Sequence, residues 1–314
     1  MSQLLKQFGD RYRAEIESEL LRNLPTSQQR YTEKFNHALH YAIFPGGKRW
    51  RPLLTIIGGF LVNAPLQSLL PAACAIEYLH SSSMIIDDLP AMDDADLRRG
   101  KSTLHLAYDE STALLTSLAL MNHSYQLLSL ACCRAGNSNA ASRLIQDASE
   151  CIGANGMIGG QVVDLELKND EFGAEALKSR NLKTTALMRL MLTCGAVASG
   201  AGTDGTLALA KFGDALGMAY QICDDLMDEV GGDQFHSKTA NQDRRHLRPN
   251  FVSEFGVHGA HRMATELIEN AVDLLLQKFG NREEVYLLKA AATMILDIKT
   301  TPNPQMNSQL MKIS

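Results

Sequence analysis

The sequence predicts an all-α fold, a single large helical bundle. Apolar residues recur with a helical period along nearly the whole chain, and no alternating stretch is long enough to compete as a strand. The composition, with 6% aromatics and 9 prolines in 314 residues, suits helices better than a β-sandwich. No fixed-period repeat and no linker rich in Gly, Ser or Pro divides the chain, so residues 1–298 read as one domain.

The elements follow in order. A helix over 3–22 mixes Lys6, Asp10, Arg11, Arg13, Glu15, Glu17 and Glu19 among its apolar residues, which leaves no uncharged core for an export signal. Pro25-Thr26-Ser27 breaks the chain before a helix over 29–43, and Pro45-Gly46-Gly47 turns it into helices over 50–63 and 66–89. The loop Gly100-Lys101-Ser102 precedes a helix over 110–134, and Gly136-Asn137-Ser138 separates that from helices over 138–155 and 157–168. Helices over 174–199 and 204–229 flank Gly200 to Gly205, and a long polar stretch, Gly231 to Pro249, leads to helices over 258–279 and 283–298. The central helices are apolar nearly all round and belong inside the bundle. Thr300-Thr301-Pro302-Asn303-Pro304 ends the pattern, and the tail 299–314 is compatible with a mobile extension.

Lys and Arg number 30 against 35 Asp and Glu, a net charge of -5, which argues against a generally basic nucleic-acid binder. The most apolar stretch, Ala186 to Ala201, is interrupted by Arg189 and short for a bilayer, so no integral membrane protein is expected. The 6 cysteines show no CxxC and no zinc spacing; they read as small core residues in a reducing compartment, and a cytoplasmic location is expected.

Two acidic clusters interrupt the apolar background. Asp87, Asp88, Asp93, Asp94 and Asp96 follow Met84-Ile85-Ile86, and Asp224, Asp225, Asp228 and Glu229 follow Tyr220-Gln221-Ile222-Cys223. In a helix Asp224, Asp225, Asp228 and Gln221 share a face, whereas Asp87 and Asp93 do not; Pro90 implies a turn that folds Asp93 back beside Asp87. Crowded carboxylates repel unless a cation lies among them, and Mg²⁺ takes one or two carboxylates plus substrate phosphates. Solvated helix ends are the competing explanation. Cations supply a complement: Gly46-Gly47-Lys48-Arg49-Trp50-Arg51-Pro52 at a helix start, Arg98-Arg99-Gly100-Lys101, Lys183-Thr184 and Lys238 together point to diphosphate binding.

Taken together, the motifs resemble the trans-prenyl diphosphate synthase (polyprenyl synthetase) family, over about residues 28–295. Gly47 to Pro52 is similar to GGKRLRP with Trp50 in the Leu position, and Asp87 to Asp93 with Leu97-Arg98-Arg99-Gly100 is similar to the first aspartate-rich motif. Gly160-Gln161 with Asp164, the Lys183-Thr184 pair, and Gln221 with Asp224 to Asp228 complete the order.

The resemblance implies an isoprenoid synthase bundle with a central product tunnel, and a Mg²⁺-dependent, head-to-tail prenyltransferase. Three Mg²⁺ ions would be held by Asp87, Asp88, Asp93, Asp224, Asp225 and Asp228. Arg98, Lys183 and Lys238 would take up the leaving pyrophosphate's charge, with Arg248 replacing a family lysine. Thr184 and Gln221 would supply dipoles to the allylic cation. Isopentenyl diphosphate would sit on Gly47, Lys48, Arg51, His80 and Arg99, although His80 is also readable as a hydrogen-bonded histidine on a half-buried face. Small Ser82 and Ser83 before Asp87 leave the tunnel open and favour a geranylgeranyl product, unless a bulky residue near Leu120 or Tyr125 sets the floor. A farnesyl product or a non-catalytic or weakly active synthase subunit are the alternatives, and a homodimer is implied. Ser117-Leu118, Pro249-Asn250 and the tail depart from the family pattern.

Overall fold

The computed structural model describes residues 3–166, 174–230 and 250–297, with the side chains of 174–178, 180 and 230 outside that description. Its helices are α1 (Gln3–Arg22), α2 (Glu33–Ile43), α3 (Trp50–Leu61), α4 (Leu66–Asp87), α5 (Leu104–Ala107), α6 (Glu110–Arg134), α7 (Ala141–Ile152), α8 (Met157–Glu166), α9 (Ala174–Ala198), α10 (Thr203–Val230), α11 (Phe251–Phe279) and α12 (Glu283–Leu296). The all-α bundle predicted from periodicity is the observed architecture.

α4 is the central helix, packed along α6, α3 and α9 and buried on nearly every side. Among the described residues, by length and composition α4, not the 186–201 stretch, is the helix apolar enough to cross a membrane, yet 78% of its apolar window is buried inside the bundle. Pro71 lies inside α4 and cannot donate to the carbonyl of Gln67. That oxygen is met instead by Arg134 Nη1 at 3.4 Å, from the last turn of α6. α9 lies between α8, α10 and α3, and α10 packs on α11.

Two local features escaped the periodicity. Among the described residues the only β-structure is a hairpin, β1 (Leu97–Arg98) with β2 (Lys101–Ser102), too short to show a period of two. Its turn residues Arg99 and Gly100 have φ of 54° and 75°, the positive pair that a tight two-residue hairpin requires. α11 begins at Phe251 rather than 258, because Asn250 and Ser253 form a reciprocal capping box. Gly256 (φ 68°) then breaks the helix, so the sequence period registers only beyond it. The 231–249 stretch and the tail from 298 lie outside the described residues.

The α3 C-terminus is held by Arg282, at the start of α12. Its Nη2 and Nη1 donate to the Phe60 and Leu61 carbonyls at 3.0 and 2.9 Å, and Nη1 also reaches Asn63 Oδ1 at 3.0 Å. These carbonyls are among those a helix end leaves without intrahelical donors. Arg282→Ala is expected to lower unfolding free energy by about 1–2 kcal/mol. Equilibrium denaturation checks this; an unchanged midpoint would mean that water replaces the guanidinium at no cost.

Candidate active site

The first acidic cluster forms where α4 stops. Asp87 is its last residue and Asp88 its C-cap, both buried. The chain turns at Pro90 and returns, the Asp93 amide donating to the Asp87 carbonyl at 2.9 Å and the Ala95 amide to that of Asp88 at 3.2 Å. The expected fold-back of Asp93 is therefore observed. Burial raises the Asp87 carboxyl above the usual range; Lys183, with Nζ 3.2 Å from Oδ1, opposes that shift, and the charge of Asp93 adds to it. Asp88 is gripped by Arg98, whose Nε lies 2.9 and 3.2 Å from its two oxygens.

Lys183 owes its position to a glycine on the opposing helix. A Cβ on Gly160 of α8 would lie 2.3 Å from the backbone nitrogen of Lys183, so only glycine lets α8 and α9 approach this closely. One residue on, Gln161 Nε2 reaches Met92 Sδ at 3.7 Å, and Asp164 is buried.

The second cluster stands on α10 and is joined to the first through α9. Thr184 Oγ1, adjacent to Lys183, donates to Gln221 Oε1 at 3.5 Å. Gln221 Nε2 in turn donates to Asp225 Oδ1 at 3.1 Å, and the other Asp225 oxygen accepts the Phe251 amide at 2.8 Å. Asp225 is 1% exposed, so this carboxylate braces the start of α11. Asp224 and Asp228 are half-exposed on the same helix. Tyr220 lies against Asp224 and close to Arg51, Arg98 and Arg99, and burial pushes its phenol up to about 12. Sequence reasoning passed over Tyr220, though it falls one turn before Asp224 on the same helical face.

The cation side is built around His80. Arg51 Nη1 and Arg99 Nη2 lie 3.0 and 3.3 Å from its Nε2. A guanidinium only donates, so Nε2 is the acceptor and the ring proton sits on Nδ1. The hydrogen-bonded reading of His80 thus holds, with two guanidinium groups on one ring nitrogen. Burial lowers the Arg51 pKa below its ordinary value. Arg51 Nε and Arg98 Nη1 are buried without a hydrogen-bond partner among the described residues. Such donors suit an anion.

Lys48 is half-exposed and Gly47 accepts from Arg13 Nη2 at 3.1 Å. Arg49 does not join them. The three cations read at this helix start become two, because Arg49 is 2% exposed and paired with Glu17 and Glu77. Glu77 was missed too; a lone carboxylate in the most apolar part of α4 was its signal. Lys238 and Arg248 lie outside the described residues.

Ser82 is fully buried, its hydroxyl 2.9 Å from that of Ser117 on α6, while the Ser83 hydroxyl donates to the His80 carbonyl at 2.9 Å. Leu120 is fully buried, and Tyr125 is partly buried against the core while also lining an open depression between α6 and α7 with Cys133 and Ile145.

The donor set fits Mg²⁺. Among the described residues no three acid, histidine or cysteine side chains converge on one point. Each cluster offers a carboxylate or two, the number this ion takes when phosphates complete its shell. A helical bundle with two acidic clusters joined by a Lys-Thr pair, beside arginine donors without partners among the described residues, defines a class: all-α proteins that handle diphosphates with divalent metal. Residues 32–290 match polyprenyl synthetase, and the chain belongs to that family. It is 34% identical over 244 residues to a dimethylallyltranstransferase of Fischerella ambigua, covering 77% of this chain and 70% of that one. Identity to the mitochondrial geranylgeranyl pyrophosphate synthase 6 of Arabidopsis thaliana is 32% over 260 residues, 81% and 77% of the two chains. Among solved structures, an FPP/GFPP synthase from Zymomonas mobilis superposes with a TM-score of 0.81 at 30% identity, covering 94% of this chain and 100% of the other. A geranyltransferase from Helicobacter pylori, complexed with magnesium and isoprenyl diphosphate, gives 0.77 at 30% identity and covers 95% and 97%.

The bracing role of Asp225 separates it from its neighbour. Asp225→Ala is expected to cost about 1–3 kcal/mol of stability by orphaning the Phe251 amide, and Asp224→Ala, which leaves that amide bonded, to cost less. Parallel denaturation curves decide; equal losses would remove the distinction.

Proposed function

We propose that this chain joins isopentenyl diphosphate head to tail to allylic diphosphates, releasing pyrophosphate, and that its product is geranylgeranyl diphosphate. The observation that carries the reaction is the junction at Lys183-Thr184, which ties Asp87 to one side and Gln221 to the other, beside donors on Arg51 and Arg98 that lack partners among the described residues. The relatives' names support the same reaction class.

Asp87, Asp93, Asp224 and Asp228 would hold Mg²⁺, three ions in all, with Asp88 and Asp225 fixed behind them by Arg98 and by Gln221 and Phe251. Bound there, the metal supplies charge stabilisation for a departing pyrophosphate. Lys183 and Arg98 take up part of that charge directly, and Lys238 and Arg248 belong to the same proposal. The allylic C1–O bond breaks, and the isopentenyl double bond attacks C1. A pyrophosphate oxygen then accepts the proton lost from the adjacent carbon. Gln221, held by Thr184 and Asp225, presents a fixed dipole to the cation while the apolar walls exclude water. Lys48, Arg51, His80 and Arg99 hold isopentenyl diphosphate, with the neutral His80 keeping both guanidinium groups in place.

Product length rests on the α4–α6 contact below Asp87. Ser82 and Ser117 face each other there, and neither carries a ring. On the α4 face that carries Ser82, the residue one turn down is Tyr78, whose hydroxyl donates to the Leu20 carbonyl at 2.6 Å. A homodimer is part of the proposal, supported by the exposed Leu114, Leu115 and Leu118 on α6. So is a cytoplasmic location, supported by the free cysteines.

Purified chain with Mg²⁺, isopentenyl diphosphate and each allylic starter is expected to turn over, with chelation abolishing the reaction. Asp87→Ala is expected to lower kcat on the order of a thousandfold. No turnover by the chain alone would favour a non-catalytic subunit, and turnover independent of isopentenyl diphosphate would favour a cyclase. Ser82→Tyr is expected to shorten the product, read by chromatography; an unchanged product, or a farnesyl product from the unaltered chain, would sink the length assignment.

A further inference from the structure

Arg49 lies between two residues of the isopentenyl diphosphate site, Lys48 and Arg51, and itself faces away from it. It is the N-cap of α3 in the left-handed conformation, φ 55° and ψ 38°. A bulky residue is held there only when its surroundings over-determine it. Here the side chain does so. Nε and Nη2 donate to the two Glu17 oxygens at 2.9 and 3.0 Å, Nη1 to Glu77 Oε1 at 2.7 Å, and Nη2 also to the Ile43 carbonyl at 2.8 Å.

The partners span the fold. Glu17 comes from α1, and Glu77 lies on α4 three residues before His80. One guanidinium thereby ties α1, the loop before α3, and the part of α4 that carries His80. A second strap from α1, Arg13 Nη2 to the Gly47 carbonyl at 3.1 Å, holds the same loop. A Cβ on Gly46 would lie 1.9 Å from the Arg49 guanidinium, so the loop glycine leaves room for this seat.

We propose that Glu17 is a positioning residue for the isopentenyl diphosphate site, acting through Arg49. The proposal rests on Lys48, Arg51 and His80 forming that site. Glu17 touches no substrate. Its bidentate grip fixes the Arg49 backbone, and that backbone sets the directions in which Lys48 and Arg51 leave the chain. The allylic site is built from carboxylates at the end of α4 and on α10 and from Lys183 of α9, none of which lies in this loop. The consequence is selective: loosening Glu17 weakens one substrate and spares the other.

The test is steady-state kinetics of the full chain, varying each substrate with the other saturating. Glu17→Ala is expected to raise KM for isopentenyl diphosphate about tenfold, with KM for the allylic diphosphate and kcat within about twofold of the unaltered chain. Glu17→Gln, which keeps one carbonyl acceptor, is expected to recover part of that loss. A merely structural role would lower kcat with the folded fraction and leave both KM values in place; that result, or an equal rise in both, overturns the proposal. If Glu17→Ala does not fold, Arg13→Ala on the exposed face of α1 carries the same test, with an isopentenyl-specific rise of about threefold expected and no rise overturning it. Absence of isopentenyl-dependent turnover in the unaltered chain is a different failure: it overturns the assignment of the site, and the positioning role with it.

Discussion

Carboxylates brought together in a half-buried place repel one another, and a fold that gathers them must place cations among them. Lys183 of α9 meets Asp87, and Arg98 of the hairpin grips Asp88. Both cations come from elements other than the helix that carries the acids. The bundle therefore has to deliver α9 and the hairpin to the end of α4 accurately. Gly160 lets α8 seat α9 at the required depth, and the tight turn at Arg99-Gly100 returns the chain so that both Arg98 and Arg99 reach inward.

The same constraint explains why each cluster divides its labour. In the first, Asp88 is closed by Arg98, while Asp87 meets Lys183 and the chain returns Asp93 to it. In the second, Asp224 and Asp228 are half-exposed while Asp225 accepts from Gln221 and the Phe251 amide. A carboxylate with both oxygens committed holds its neighbours still, the support that a metal ligand beside it would need. Arg49 does the corresponding task on the cation side, where its paired carboxylates keep a buried guanidinium and a left-handed backbone in one arrangement.

Much of this was legible. Pro90 after Asp87-Asp88 signalled the return of Asp93, and the motif order located Lys183, His80 and the two arginines. The misreadings share one cause. Asp224 and Asp225 are adjacent, and periodicity put them on one face; their surroundings differ because the Phe251 amide at the start of α11 bonds Asp225. Arg49 looked like a third substrate cation because its partner Glu17 is far away in the chain. The hairpin was too short to have a period, and α11 was clipped because Gly256 interrupts its pattern.

By itself the sequence determined the helices, the residue types at the site and the family pattern, since helical periodicity and the chemistry of Asp, Lys and Arg are local properties read from neighbouring residues. Only the tertiary structure decided which charges are spent on each other and which remain for substrate. That choice depends on contacts between residues tens of positions apart, such as Glu17 with Arg49 and Asp87 with Lys183. Pairing energies between charges act over ångströms in space, and a sequence records only distance along the chain.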